Sequence, residues 1–158
     1  HFYDHQIGGV PLAEGVLRRL KFDNNTIKDV CKLVRWHDFG MGCVSKKNTI
    51  RKLLGEVGKD FFPYIIEIKK ADMAAQSDYK LEERQSQLAE LEKKYEEIVA
   101  GADCVRIKDL KVNGGDLIKL GIKPGPQMGE ILQKLLDMVI EDPEKNDREY
   151  LLDQVKQM

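Results

Sequence analysis

The sequence predicts an all-α protein, two helical lobes joined by one long helix. Three observations carry that prediction. No stretch of the 158 residues alternates apolar and polar side chains with a period of two, as a half-buried strand does. Apolar residues recur instead at steps of three and four over most of the chain. Between residues 79 and 102, Leu81, Leu88, Leu91, Tyr95 and Ile98 form one narrow seam with charge on every other face, in a helix about 35 Å long. The boundaries fall at 1–77 for the first lobe, 78–103 for the connecting helix and 104–158 for the second lobe.

In the first lobe, Val10, Ala13, Leu17 and Leu20 give a helix from about Ile7, with Arg18, Arg19 and Lys21 as cations suited to its C-terminal end. The turn Asp23-Asn24-Asn25 supplies an N-cap for a second helix, whose face is Ile27, Val30, Cys31, Val34 and His37 and which Gly40 and Gly42 close. Ser45 or Asn48 opens a short helix through Ile50, Leu53, Leu54 and Val57, ended by Gly58. Asp60 then begins a longer one, with Pro63 tolerated in its first turn. Phe61, Tyr64, Ile65, Ile68, Asp72 and Ala75 recur along it, so Asp72 is either a buried or pocket carboxylate or an aspartate bonded to a neighbouring element.

The seam of residues 79–102 lasts under four heptads, which fits a coiled-coil dimer or an intramolecular arm equally. Asp103 to Lys108 is the one piece expected to be extended. Asn113-Gly114-Gly115 then turns the chain, Asp116 to Leu120 makes about one helical turn, and Gly121 ends it in a left-handed conformation. Pro124-Gly125-Pro126 stops the helix, and Pro126 suits the first position of the next. That helix carries Met128, Ile131, Leu132, Leu135, Leu136, Val139 and Ile140 as a wide core stripe up to Asp142-Pro143. Asn146 caps a last helix, with Glu149 in the capping-box position and Tyr150, Leu151, Leu152 and Val155 buried.

Composition sets the class. With 42% apolar and 34% charged residues, a net charge of −1 and no apolar run near membrane-spanning length, the chain reads as a soluble globular protein with no membrane partner. Residues 104–134 hold 6 Lys/Arg against 3 Asp/Glu, whereas residues 135–158 hold 3 against 7, so the second lobe has a basic segment that fits a face for a polyanion or an ordinary solvated face equally. Cys31, Cys43 and Cys104 make an odd count without paired spacing, which points to free thiols in a reducing cytoplasm. The chain starts at His1 with no charged-then-apolar leader, and is expected to be a fragment of a longer protein.

Two groups of residues carry candidate chemistry. Lys111, Lys119, Lys123 and Lys134 surround the loop at Gly121–Pro126, and a helix N-terminus after a glycine can bind phosphate. The same residues also describe an ordinary Gly/Pro helix corner with solvated lysines. His1, His5, His37 and Asp38 are the only concentrated metal-ligand chemistry, but adjacent His37 and Asp38 point about 100° apart on a helix and need a third element to share an ion; the other reading is that His37 ends a helix and Asp38 starts a turn. No Gly-rich nucleotide loop and no Cys or Ser with an obvious base is present, so no catalytic residue is assigned.

The block Leu110, Val112-Asn113-Gly114, Asp116-Leu117-Ile118, Leu120-Gly121-Ile122, Pro124-Gly125-Pro126, Met128-Gly129 and Ile131-Leu132 resembles the C-terminal region of bacterial tRNA nucleotidyltransferases. These are the CCA-adding enzymes of the poly(A) polymerase family. Leu135-Leu136, Asn146, Glu149 and Leu151-Leu152 continue the likeness. His1-Phe2-Tyr3, His5, Leu12-Ala13, Leu17, Leu20-Lys21-Phe22, Asn24 and Leu33-Val34-Arg35, His37-Asp38 are similar to that family's HD-type domain. Ile68, Ala71-Asp72 and Ala75-Gln76 look like its connecting helix.

The resemblance implies an HD-like helical lobe followed by a helical RNA-binding tail, from a parent that adds CCA to tRNA with CTP, ATP and Mg²⁺. The Gly-Ser start and Asp-x-Asp metal pair of the catalytic head are not in this sequence, so CTP and ATP are partners only through that head. Implied RNA-binding residues are Lys111, Asn113, Gly114, Lys119, Gly121, Lys123, Gly125, Pro126 and Lys134; His5, His37 and Asp38 are leftover ligands of an incomplete HD-type metal site. The alternatives are an HD-type metal-dependent phosphohydrolase acting on phosphoesters, and a helical module dimerising through Leu81, Leu88 and Leu91.

Overall fold

The computed structural model describes residues 5–39 and 46–158, with His5 described by its backbone alone. Among the described residues there are eight α-helices and no strand, and no helix is long and apolar enough to cross a membrane. The helices are α1 (His5–Arg19), α2 (Asn24–Trp36), α3 (Lys47–Val57), α4 (Phe62–Ala75), α5 (Leu81–Ala100), α6 (Gly114–Lys119), α7 (Pro126–Glu141) and α8 (Arg148–Lys156). Two compact units result: His1–Ser45 with Val57–Lys94, and Lys46–Glu56 with Tyr95–Met158. This division follows packing, whereas the sequence-drawn boundaries follow composition and resemblance.

In the first unit α1 packs along α2. Asp23 caps α2 as its sequence requires, accepting from the Asn25 and Thr26 amides at 2.9 and 3.0 Å. Val10, Ala13 and Leu17 of α1 are half-buried, but Leu20, expected on the same face, is 59% exposed because the helix ends before it. The expected closure of α2 by Gly40 and Gly42 and the expected start at Ser45 lie outside the described residues; α3 begins at Lys47.

α4 departs from its predicted face. It starts at Phe62, not Asp60, and buries Phe62, Ile65, Ile66, Lys69 and Met73. Asp72 is exposed and accepts from the Gln76 side chain at 2.6 Å. The expected apolar series began one residue early, and one residue is about 100° of helix, so the buried charge on α4 is Lys69. α5 carries its seam as expected: Leu88, Leu91 and Ile98 are buried within the single chain.

In the second unit Leu110, Val112, Leu117, Ile131, Leu135, Leu136, Val139, Ile140, Leu151 and Val155 form a core cluster with Cys104. α7 supplies its central stripe. α3 belongs to this unit because Arg51, 8% exposed, donates from Nε to Asp103 at 2.6 Å and from a terminal nitrogen to the Ile140 carbonyl at 3.0 Å. The Asp103–Lys108 piece is irregular chain running into a 3-10 turn at Ile107–Asp109, with no strand partner among the described residues to make it a ladder.

Candidate nucleic-acid interface

The corner between α6 and α7 is built by local rules. Asn113 caps α6, its side chain accepting from the Gly115 and Asp116 amides, and Asp116 returns the favour to the Asn113 amide at 3.1 Å. This reciprocal cap satisfies donors that a helix start leaves open. At its other end the Gly121 amide donates to Ile118 and the Ile122 amide to Leu117. These two bonds close the helix with Gly121 at φ 88°, in the left-handed region that a Cβ disfavours. Pro126 then opens α7 at its first turn.

Six residues make too short a helix to stand alone. α6 is fixed instead from beneath. Leu117 is fully buried in the core, and Gly114 meets α7 so closely that a Cβ there would lie 2.9 Å from the Met128 sulfur. Asp116, 6% exposed, receives a two-pronged donation from Arg148 of α8, at 2.7 and 3.1 Å. The Arg148 guanidinium holds the Asp116 carboxyl below the usual carboxylate range, against the opposite effect of burial.

Asn146 adds a second tie. Its side chain accepts from the Lys111 amide at 3.0 Å and donates to the Asp109 carbonyl at 3.1 Å. It does not cap the last helix. Asp147 does, accepting from the Glu149 and Tyr150 amides at 3.0 and 3.1 Å, which leaves Glu149 one place short of the capping-box position. The cap is displaced by one residue because the Asn146 side chain is committed across the fold.

Above this frame Lys111, Lys119, Lys123 and Lys134 are all exposed. None forms an ion pair with a described residue. The backbone contribution is smaller than the sequence suggests. Pro126 brings no N–H, and the Met128 amide is taken by the Gly125 carbonyl at 3.1 Å. Gly125 itself is extended at φ 161° with no atom within 4 Å of a Cβ, so nothing in its packing demands a glycine. The attraction of the corner for an anion therefore resides mainly in the lysines.

The predicted metal ligands are not brought together as a describable site. His1 and the His5 side chain lie outside the described residues. His37 caps the end of α2, with its Nδ1 2.8 Å from the Val34 carbonyl, and Asp38 lines a small cavity of about 180 Å³ with Ile7, Arg35, Trp36 and Phe39. No group of three His, Cys, Asp or Glu suited to a metal occurs among the described residues. What faces Asp38 electrically is Lys69, whose buried Nζ has no hydrogen-bond partner among them.

Sequence reasoning missed Arg148 altogether and gave Asn146 the wrong partner. The capping signature Asn113–Asp116 could have marked Asp116 as structural, but nothing local points from it to a residue on another helix.

Comparison with known proteins comes from two sides. The family model tRNA nucleotidyltransferase domain 2 matches residues 9–155. A CCA-adding enzyme of Limosilactobacillus fermentum is 52% identical over 44 residues, 28% of this chain and 11% of that protein. One from Pediococcus pentosaceus is 45% identical over 58 residues, 34% of this chain and 15% of that protein. One from Streptococcus agalactiae serotype V is 48% identical over 50 residues, 31% of this chain and 12% of that protein. The matched part of the chain thus spans only 11–15% of these relatives' length. No solved structure gives a significant match.

Proposed function

The chain belongs to the tRNA nucleotidyltransferase domain 2 family, and on that premise we propose that it is the tRNA-holding C-terminal region of a CCA-adding enzyme. The observation that carries this reading is the pairing of four exposed lysines that form no ion pair with a described residue, Lys111, Lys119, Lys123 and Lys134, with a corner locked from beneath by Asp116–Arg148 and Asn146. Cations on a rigid loop give salt-sensitive contacts to phosphates without reading bases. Such contacts suit an enzyme that must accept every tRNA by shape.

Nucleotide addition, with its CTP, ATP and Mg²⁺, is assigned to a catalytic head elsewhere in the parent protein, because the residues for it are not in this sequence. The reading places the protein in the cytoplasm; the odd count of three cysteines without paired spacing is in keeping with a reducing compartment.

The test is tRNA binding by the whole chain across a salt series. Lys119→Ala with Lys123→Ala is expected to weaken affinity and reduce the slope of log K against log salt by roughly one to two. Unchanged affinity and slope in that double variant would remove the corner from the interface.

A further inference from the structure

A cleft of about 610 Å³ opens in the second unit between the C-terminal half of α3, the loop around Ile107 and the middle of α7. None of the lysines of the α6–α7 corner lines it. Its floor is apolar, since Val105, Leu136 and Ile140 are buried, and Ile107 beside them is 37% exposed. Gly55 lets α3 reach this loop: a Cβ there would stand 2.5 Å from the Val105 carbonyl oxygen.

The polar lining is unevenly divided. Arg106 donates from Nε to the Gly55 carbonyl at 3.1 Å, which fixes the guanidinium while its terminal nitrogens bond to no described residue. Lys108, two residues on, is exposed and forms no ion pair with a described residue. On the helical walls the charge is largely cancelled or negative. Lys52 lies 3.7 Å from Glu141, Glu56 is exposed, and Asp137 accepts from the Gln133 side chain at 3.1 Å.

We propose that this cleft seats one unstacked nucleotide of an RNA strand, its base on the Val105–Leu136–Ile140 floor and its phosphate at Arg106 and Lys108. The volume falls in the range of small-molecule sites, with an apolar bed and a few placed polar groups. Glu56 and Asp137 repel a phosphate from the helical walls, so only the loop wall accepts it. Gln133 and Asp137 keep acceptor oxygens free for the amino groups of a base edge. The choice of an RNA strand over a free nucleotide rests on the proposed tRNA function; the nucleotide chemistry stands on the cleft.

The experiment is a two-dimensional amide NMR titration of the whole chain with the four nucleoside 5′-monophosphates, and separately with inorganic phosphate and with nucleosides, followed by tRNA. Nucleotides are expected to shift the amides of Gly55, Ile107, Lys108 and Gln133, with Lys108→Ala weakening binding about threefold to tenfold, and tRNA to release the nucleotide. Shifts reproduced by phosphate alone, shifts confined to residues 119–126, or none at all would overturn the proposal. A nucleotide that stays in place while tRNA binds also overturns it and spares the lysine corner. No tRNA binding at all overturns both readings.

Discussion

Asp116 and Arg148, 32 residues apart, meet through two hydrogen bonds of 2.7 and 3.1 Å between the starts of two different helices. Each side chain solves a problem for the other. Arg148 sits at the first position of α8, where a cation opposes the helix dipole, and the Asp116 carboxylate offsets it. Asp116 is nearly buried, where an unpaired carboxylate is unfavourable, and Arg148 with the Asn113 amide satisfies it. Through this pair the entry to α6, and with it Lys111 and Lys119, is set by α8.

The pair gives the fold an acid limit. The folded Asp116 carboxyl lies below its ordinary value, chiefly because of Arg148. Its contribution is therefore present above the unfolded value, about pH 3.9, and is lost as pH falls through the folded value. Thermal melts by circular dichroism from pH 7 to pH 2.5 are expected to show Tm falling below about pH 4. Arg148→Leu should lower Tm at pH 7 and flatten that fall. Asp23 and Asp147, also held low by their capping bonds, sustain part of the slope in the variant. An identical pH profile in wild type and Arg148→Leu would show that the pair does not couple to folding.

Asn146 separates two functions that the sequence joins. Asn146→Ala removes one bond to the Lys111 amide and one to the Asp109 carbonyl, and should cost roughly 1–2 kcal/mol in urea unfolding. Asn146→Asp keeps the acceptor for Lys111 but sets a carboxylate against the Asp109 carbonyl, so it should fall at least as low. If Asn146 were the α8 cap, aspartate would substitute without loss; the two outcomes distinguish the assignments.

What was legible in the chain was local. The left-handed Gly121 and Pro126 at the start of α7 each follow from residues within a few positions of one another, and both stand as expected; the capping of α6 by Asn113 is equally local, although the sequence reads there only as a turn. The all-α class follows from spacing of three and four, which is a property of the helix itself. Long-range polar choices were not legible. Asn146 and Asp147 are both good caps, and only the distant Lys111 amide decides between them. The face of α4 turned on a one-residue shift between Phe61 and Phe62, because both are apolar and only packing tells which points inward. The corner lysines could be named from sequence, but the frame that holds them could not, since Arg148 carries no local mark of its partner.

Lys69 makes the opposite prediction from Asp116. The residue is 3% exposed, and burial lowers its pKa to about 8, opposed by the charges of Asp38 and Asp72. The charged form is thus disfavoured in the fold. Between about pH 8 and 10.5 the unfolded chain binds more protons, so this group makes stability rise with pH across that window, and its penalty is complete below it. Lys69→Met, similar in length, should raise stability at pH 7 by about 2 kcal/mol and lose that advantage above pH 10. A destabilised Lys69→Met at pH 7 would mean that the ammonium serves Asp38 and Asp72 more than burial opposes it.

Two glycines of the corner separate backbone geometry from charge. Gly121 requires φ 88°, so Gly121→Ala should cost about 1 kcal/mol and, by disturbing the link between Lys119 and Lys123, weaken tRNA binding. Gly125 is extended with open space around it, so Gly125→Ala should leave stability unchanged. If the lysines do the holding, tRNA affinity is also unchanged in Gly125→Ala, and its salt slope equals that of the wild type. A Gly125→Ala protein that folds normally but binds tRNA several-fold more weakly would show instead that a phosphate approaches the backbone at the start of α7. Urea unfolding and tRNA titration on the same two variants read both effects, because a loss of fold appears in the first measurement and a loss of contact only in the second.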